Sequence, residues 1–246
     1  RFGLRDDGGR LLAHGSIYRK SRRASVRGPL QDPNAGFQLY LRHSLAKAGI
    51  RVDATAPAVD REILVYETFL HEALPAVLRD SSNFHAEQLL RVLGAEREDD
   101  GSYAGGLRAL RAQLRDMLGQ LPRDLRLVDG SGLSKHNRLT PQLIVRVLRA
   151  VVRSKHGKEF VAALAQGQRS GTLARRFLGC EFAPQVFAKT GTLNGVSCLS
   201  GVLTDAGSRL MVFSICMNTN RSGKRSTMRK LQEEIVAAIW AGGDGR

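Results

Sequence analysis

Apolar positions recur at helical spacing over several stretches of the chain and at strand spacing over others. Phe37, Leu41, Leu45 and Ala48 mark one face of a helix, and Gly49 supplies a left-handed stop before a strand-like Ile50 to Val52. Ile63 to Tyr66 reads as a strand. Pro75 followed by Ala76, Val77 and Leu78 predicts a short helix with proline in its first turn, ending at Asp80-Ser81-Ser82-Asn83. Ala86, Leu89, Leu90 and Leu93 predict a second helix running to Gly94. Leu107, Leu110, Leu114 and Met117 predict a longer amphipathic one closed by Gly119. Leu125 to Val128 looks like a short strand entering the turn Asp129-Gly130-Ser131-Gly132. Thr140-Pro141 has the cap and first-turn proline of a helix start. After a helical stretch around Lys158 to Ala165 come three strand-like segments, Gln185 to Thr190, Val196 to Leu203 and Leu210 to Met217. Asp205-Ala206-Gly207 forms the hairpin turn between the last two. Met228, Leu231, Ile235 and Ile239 line one face of a closing helix.

Helices followed by an antiparallel meander and a packing helix argue for an α+β fold rather than a βαβ one, with further strands of the sheet coming from elsewhere. The first thirty residues, rich in Gly, Arg and Ser, carry only brief apolar patches such as Leu11-Leu12, and a domain boundary is expected near Asp32-Pro33. No apolar run approaches the roughly 20 residues that a bilayer-spanning helix requires. The chain opens on Arg1 without a signal-peptide pattern, which places the expected native start upstream.

Composition narrows the classes. With 246 residues and 42% hydrophobic content the chain can bury a sizeable core. The 38 Lys plus Arg against 23 Asp plus Glu give a net charge of +15, which would attract any polyanion. The cations are scattered, with local clusters only at Arg19 to Arg23 and Lys224 to Lys230. A basic module for nucleic acid or an anionic cell-wall polymer is therefore the alternative reading, and no specific nucleic-acid partner is expected. Cys180, Cys198 and Cys216 form no CxxC pair, and the last two lie in apolar strand-like segments where inert buried thiols are expected. His14, His43, His71 and His156 lack metal-ligand spacing, so neither a metal nor a cofactor is expected.

Two tripeptides carry candidate chemistry: Ser81-Ser82-Asn83 between two helices and Lys189-Thr190-Gly191 at a strand end before a hairpin. Alone, each is a common local sequence, and Ser81 or Asn83 could simply cap the helix beginning near Phe84. In this order and context they match the second and third motifs of the penicillin-recognising serine enzymes, whose set is S-x-x-K, S-D-N and K-T-G. The wider runs Asp80 to Leu90, Asp129-Gly130-Ser131-Gly132-Leu133-Ser134 and Ala188-Lys189-Thr190-Gly191-Thr192-Leu193 resemble the peptidase S13 family, the class C low-molecular-mass penicillin-binding proteins of the penicillin-binding protein 4 type. The resemblance runs from about Gly15 to the last helix.

What the resemblance implies is specific. The fold would be the C-terminal part of a penicillin-binding transpeptidase/β-lactamase-like domain, residues 32–246, preceded by the tail of an inserted domain, residues 1–31. The activity would be that of a serine-type D-Ala-D-Ala carboxypeptidase and endopeptidase of peptidoglycan, working through an acyl-enzyme. Stem peptides and β-lactam antibiotics would be its partners and the periplasm or another extracytoplasmic space its location. Ser81 would relay a proton to the leaving amine, Asn83 would hold the substrate amide and the nucleophile's lysine, and Lys189 would place positive charge beside Ser81. Thr190 and Thr192 would bind the terminal carboxylate, Gly191 would let the peptide lie against the strand, and the Thr192 N–H would be one of two oxyanion donors. The one formal S-x-x-K match, Ser44-Leu45-Ala46-Lys47, closes an amphipathic helix instead of opening a buried one. It is rejected as the nucleophile, which is expected upstream of Arg1, so that the isolated chain would be inactive. His85 and His136 flank the motifs but read as structural. Asp129 reads as a turn former that could also orient the site rim.

Overall fold

The computed structural model describes residues 2–7, 10–15, 33–52, 67–204, 209–219 and 225–242. The chain divides into two compact units, Arg1–Val65 and Tyr66–Arg246. In the first, strands β1 (Phe2–Asp7) and β2 (Arg10–Gly15) pair antiparallel, with Asp7 opposite Arg10. The apolar pattern does not predict this hairpin, because its patches are only two residues long. The Gly8-Gly9 dipeptide between the strands was the available signal. Helix α1 (Pro33–Lys47) follows, and Gly49 takes φ +77° as its stop requires. Ile50 to Val52 is not a strand: the Ile50 N–H turns back to the Leu45 carbonyl at 2.9 Å, and no strand pairs with the segment among the described residues. The expected strand at Ile63 to Tyr66 lies outside the described residues.

The second unit contains the helices α2 (Leu70–Leu78), α3 (Asn83–Glu98), α4 (Tyr103–Leu118), α5 (Pro141–Val152), α6 (Gly157–Ala162) and α7 (Arg225–Ala241). Its antiparallel sheet has the order β3-β4-β5-β6, with β3 (Ala165–Gln166), β4 (Val186–Leu193), β5 (Val196–Thr204) and β6 (Leu210–Asn218). This is an α+β fold, and β4, β5 and β6 fall on the three expected strand-like segments. The turn expected at Asp205 to Gly207 lies outside the described residues.

Several boundaries move for identifiable reasons. Pro75 sits inside α2 and not in its first turn, because Glu72 starts the helix earlier by accepting the Phe69 N–H at 3.1 Å. Gly94 does not stop α3, which continues to Glu98; it makes room for the next helix. A methyl on Gly94 would lie 2.4 Å from the Gly106 nitrogen, and one on Gly106 would lie 2.3 Å from the Leu90 carbonyl oxygen, so the α3–α4 contact is a backbone-to-backbone approach that only glycine permits. Leu125 to Val128 contributes only the isolated bridge Arg126–Arg138. The helical stretch expected to Ala165 ends at Ala162, since Ala165 pairs with Ala188. Thr140 caps α5 as expected, accepting the Leu143 N–H at 3.2 Å.

One face of the sheet packs on α7. Val186 and Ala188 of β4, Leu199 and Leu203 of β5 and Phe213 of β6 join Phe177, Phe182 and Val236 in one buried cluster. The α7 stripe is rotated from the one expected: Gln232 and Val236 are fully buried with Ile239 and Trp240 beside them, whereas Leu231 is 47% exposed. Gln232 faces inward because its amide has polar partners there, donating to Ser197 Oγ at 3.1 Å and accepting from Arg176 at 3.3 Å. A buried hydrogen-bonded amide defeats a pattern built on apolar residues alone.

Candidate active site

The α2–α3 junction delivers the first tripeptide. The Asp80 and Ser82 N–H groups turn back to the carbonyls of Pro75 (3.1 Å) and Ala76 (2.8 Å). This forces Ser81 to φ +60°, a left-handed conformation that is uncommon for a residue with a side chain. Ser82, not Ser81 or Asn83, caps α3: its Oγ accepts the His85 N–H at 3.4 Å and pairs with His85 Nδ1 at 2.8 Å. The cap thereby leaves the Ser81 hydroxyl for another partner. Such strain at a non-glycine residue points to a position whose side-chain direction matters.

That partner comes from β4, more than a hundred residues later in the chain. Lys189 Nζ donates to Ser81 Oγ at 2.6 Å and to the Thr190 carbonyl at 2.6 Å. Burial pushes the Lys189 ammonium below its ordinary value of 10.5. Asn83, at the first turn of α3, lines the same cleft, as do Thr190, Gly191 and Thr192. The structure therefore brings all six sequence-predicted site residues to one cleft of about 470 Å³, a volume suited to a small peptide or drug-sized ligand. Ser44 and Lys47 belong to α1 in the other unit. Neither His85 nor His136 lines it; His85 is held at the Ser82 cap.

The edge of β4 adds a second property. β3 pairs with β4 only at Phe187 and Ala188, so from Lys189 to Leu193 that edge has no strand partner among the described residues. The Thr190 carbonyl on this edge already accepts from Lys189 Nζ, and an edge without a strand partner is the kind of surface to which an extended segment adds. The charges along the wall are of one sign among the described residues: Lys189, Arg176 and Arg229 line the cleft, and no Asp or Glu of that set does. Arg176 is only 8% exposed and is held by Glu233, Gln232 and the Arg229 carbonyl.

Some residues at the site escape sequence reasoning. Thr172 Oγ1 lies 3.0 Å from Thr190 Oγ1, and the Thr172 N–H bonds to the Arg79 carbonyl at 3.2 Å, tying the 171–173 turn to the end of α2. Only the fold brings these segments together. Glu87 was more accessible to inference, since it stands four residues after Asn83 on one helix face. Its two oxygens accept the Gly130 and Ser131 N–H groups, each at 3.0 Å. Asp129 then accepts from Gly132 (2.8 Å), Ser134 (2.6 Å) and Asn137 (2.8 Å), so it both forms the turn and shapes the rim at Ser131 to Leu133. Glu87→Ala is expected to lower the unfolding free energy by about 1.5–3 kcal/mol, the range for hydrogen bonds to a charged group. Urea unfolding with amide exchange at Gly130 and Ser131 checks it, and unchanged protection there would contradict the role.

A family model described as the D-Ala-D-Ala carboxypeptidase 3 (S13) family matches residues 5–238. The chain belongs to that family. It is 30% identical over 230 residues to the penicillin-sensitive carboxypeptidase A of Dictyostelium discoideum, covering 86% of this chain and 43% of the relative. It is 36% identical over 171 residues to a D-alanyl-D-alanine carboxypeptidase of Actinomadura, covering 67% of this chain and 31% of the relative. The chain thus spans less than half the length of these S13 relatives. Among solved structures, penicillin-binding protein 4 of Haemophilus influenzae complexed with a β-lactam superposes with a TM-score of 0.79 at 21% identity, covering 98% of this chain and 59% of that one. The fold is thus that of the penicillin-binding S13 proteins. No helix of the described residues is long and apolar enough to cross a membrane.

Proposed function

We propose that this chain supplies the second- and third-motif groups of a serine-type D-Ala-D-Ala carboxypeptidase and cross-link endopeptidase of peptidoglycan. The observation that carries the reading is the 2.6 Å contact of Lys189 Nζ with Ser81 Oγ, beside a β4 edge that has no strand partner among the described residues. In this reading a stem peptide lies along Lys189 to Leu193 as an added strand. Its terminal carboxylate is held by the Thr190 and Thr192 hydroxyls and drawn by the cations of the wall. Ser81 passes its proton to the leaving D-alanine nitrogen and is resupplied by the Lys189 ammonium. Asn83 holds the substrate amide, and the Thr192 N–H stabilises the tetrahedral oxyanion. β-Lactams occupy the same cleft, and the enzyme works outside the cytoplasm. Residues 1–31 are assigned to the tail of an inserted domain and 32–246 to the penicillin-binding domain. The acylated serine of the S-x-x-K motif is a residue other than Ser44.

Two measurements on the 246-residue chain test this. A peptide ending in D-Ala-D-Ala is expected to shift the backbone amide resonances of Thr190, Gly191 and Thr192, and to fail to do so after Lys189→Met; an unperturbed strand in the unsubstituted chain would sink the reading. A fluorescent penicillin is expected to leave the chain unlabelled, and a covalent label on Ser44 would overturn the nucleophile assignment alone.

A further inference from the structure

On the sheet face that carries Lys189 and Gly191, two thiols stand directly opposite each other: Cys198 of β5 is in register with Cys216 of β6. The spacing of this pair follows from the ladder. The Thr219 N–H bonds to the Gly195 carbonyl at 2.8 Å, and the register continues without a bulge from Val196–Asn218 to Thr204–Leu210. Hydrogen-bonded and non-hydrogen-bonded pairs alternate along an antiparallel ladder. Counting from Gly195–Thr219, the Cys198–Cys216 pair is of the non-hydrogen-bonded kind, whose Cα atoms lie only about 4.5 Å apart. The next pair of that kind, Ser200–Ser214, shows the same closeness in its hydroxyls, 2.9 Å apart. A disulfide spans Cα separations of roughly 4.4–6.8 Å, so these strands can be bridged without moving the backbone.

Both thiols are free and half-buried, not inert core groups as their apolar neighbours suggest. Their chemistry is unequal. The Cys216 thiol is pushed down to about 6 by hydrogen bonding from Cys198, with a smaller contribution from Ser214, whose Oγ lies 3.9 Å away. Hydrogen bonding to Cys216 and burial push the Cys198 thiol up. A thiolate beside a protonated thiol is the arrangement of an attacking and a resolving cysteine.

We propose that Cys198 and Cys216 form a redox pair that closes a cross-strand disulfide between β5 and β6 in the wall of the cleft. The oxidant is a low-molecular-mass disulfide. The Cys216 thiolate attacks one of its sulfurs, forming a mixed disulfide and releasing one thiolate. Cys198 then loses its proton to solvent and attacks the Cys216 sulfur, forming the Cys198–Cys216 bond and expelling the second thiolate. Counted from the dithiol, the pair gives up two electrons and two protons, one on ionisation of Cys216 and one from Cys198, and the two released thiolates take up two protons from solvent to become thiols. Closure acts on the cleft because Cys198 lines it and packs beneath Gly191, where an added Cβ would lie 3.4 Å from the Cys198 Cβ. The inference does not depend on the peptidase reading.

The test treats the folded chain with oxidised glutathione, blocks remaining thiols with iodoacetamide and maps the peptides by mass spectrometry. The expected result is a Cys198–Cys216 cross-linked peptide lacking two hydrogens, with Cys180 alkylated, and full reversal by dithiothreitol. Cys198→Ser should stop at a glutathione adduct on Cys216, and Cys180→Ser should bridge as the unsubstituted chain does. Three alkylated thiols after oxidation, a persistent adduct on Cys216 in the unsubstituted chain, or a bridge to Cys180 would each overturn the proposal. Because the mapping of the unsubstituted chain decides by itself, a serine variant that fails to fold does not rescue the idea.

Discussion

Lys189→Met is expected to slow acylation by a fluorescent penicillin about 10²–10⁴-fold in a polypeptide carrying the nucleophile, the range for loss of a positioned proton donor. The thermal midpoint should stay at or above that of the unsubstituted protein. Both halves follow from one ammonium, held against Ser81 Oγ and the Thr190 carbonyl in a partly buried cleft. Methionine keeps the bulk and removes the charge, so the proposed proton relay would be lost together with the desolvation cost that burial imposes. The pH dependence separates this role from simple packing. The folded-state pKa of Lys189 lies below the ordinary 10.5, so between that lowered value and 10.5 the folded protein binds fewer protons than the unfolded chain. This group's contribution to stability therefore rises with pH across that window, and below it the folded state carries the full cost of the buried charge. In the proposed mechanism the ammonium is the donor, so activity should move the other way: the alkaline limb of the acylation profile should fall below pH 10.5. An unchanged rate in Lys189→Met, or a limb at or above 10.5, would contradict the assignment.

Gly201→Val is expected to damage the fold severely, costing about 3 kcal/mol, the upper end for overpacking a well-filled interior. An added Cβ at Gly201 would lie 2.1 Å from the Phe187 carbonyl oxygen and 2.6 Å from both the Cα and Cβ of Ala188. These are atoms of β4 itself, the strand paired with β5 at Ala188–Gly201 and Lys189–Ser200, and no side chain can swing aside to relieve them. The strands must separate at the register position next to Lys189, so the site should suffer with the fold. Gly201→Ala should show the same defect in milder form. Chemical denaturation of the two variants checks the order, and a valine variant with an unshifted midpoint would mean that β4 and β5 are not held this closely.

The elements read most easily from the pattern are those whose neighbours in sequence are also their neighbours in space. The three strands of the β4–β6 meander are short apolar runs parted by turn residues, and the Thr140 cap and the Gly49 and Gly119 stops are local devices. The errors arise where a residue answers to a distant partner. Gly94 looked like a terminator and is a contact point for Gly106; Gln232 lay outside the expected apolar stripe and is buried against Ser197 and Arg176; Cys198 and Cys216 were expected as buried thiols and are half-buried cross-strand partners.

By itself the sequence determined which residue types could do chemistry and the helix junction and strand end on which they stand, because caps, turns and alternation are properties of a few adjacent residues. Only the tertiary structure decided that Ser81 and Lys189 meet at 2.6 Å, that Glu87 holds the cleft rim, and that the β4 edge beside them has no strand partner among the described residues. Those facts depend on how α3 and α4 close through their glycines and on where β3 ends, and no short window of residues encodes contacts made across a hundred positions of chain.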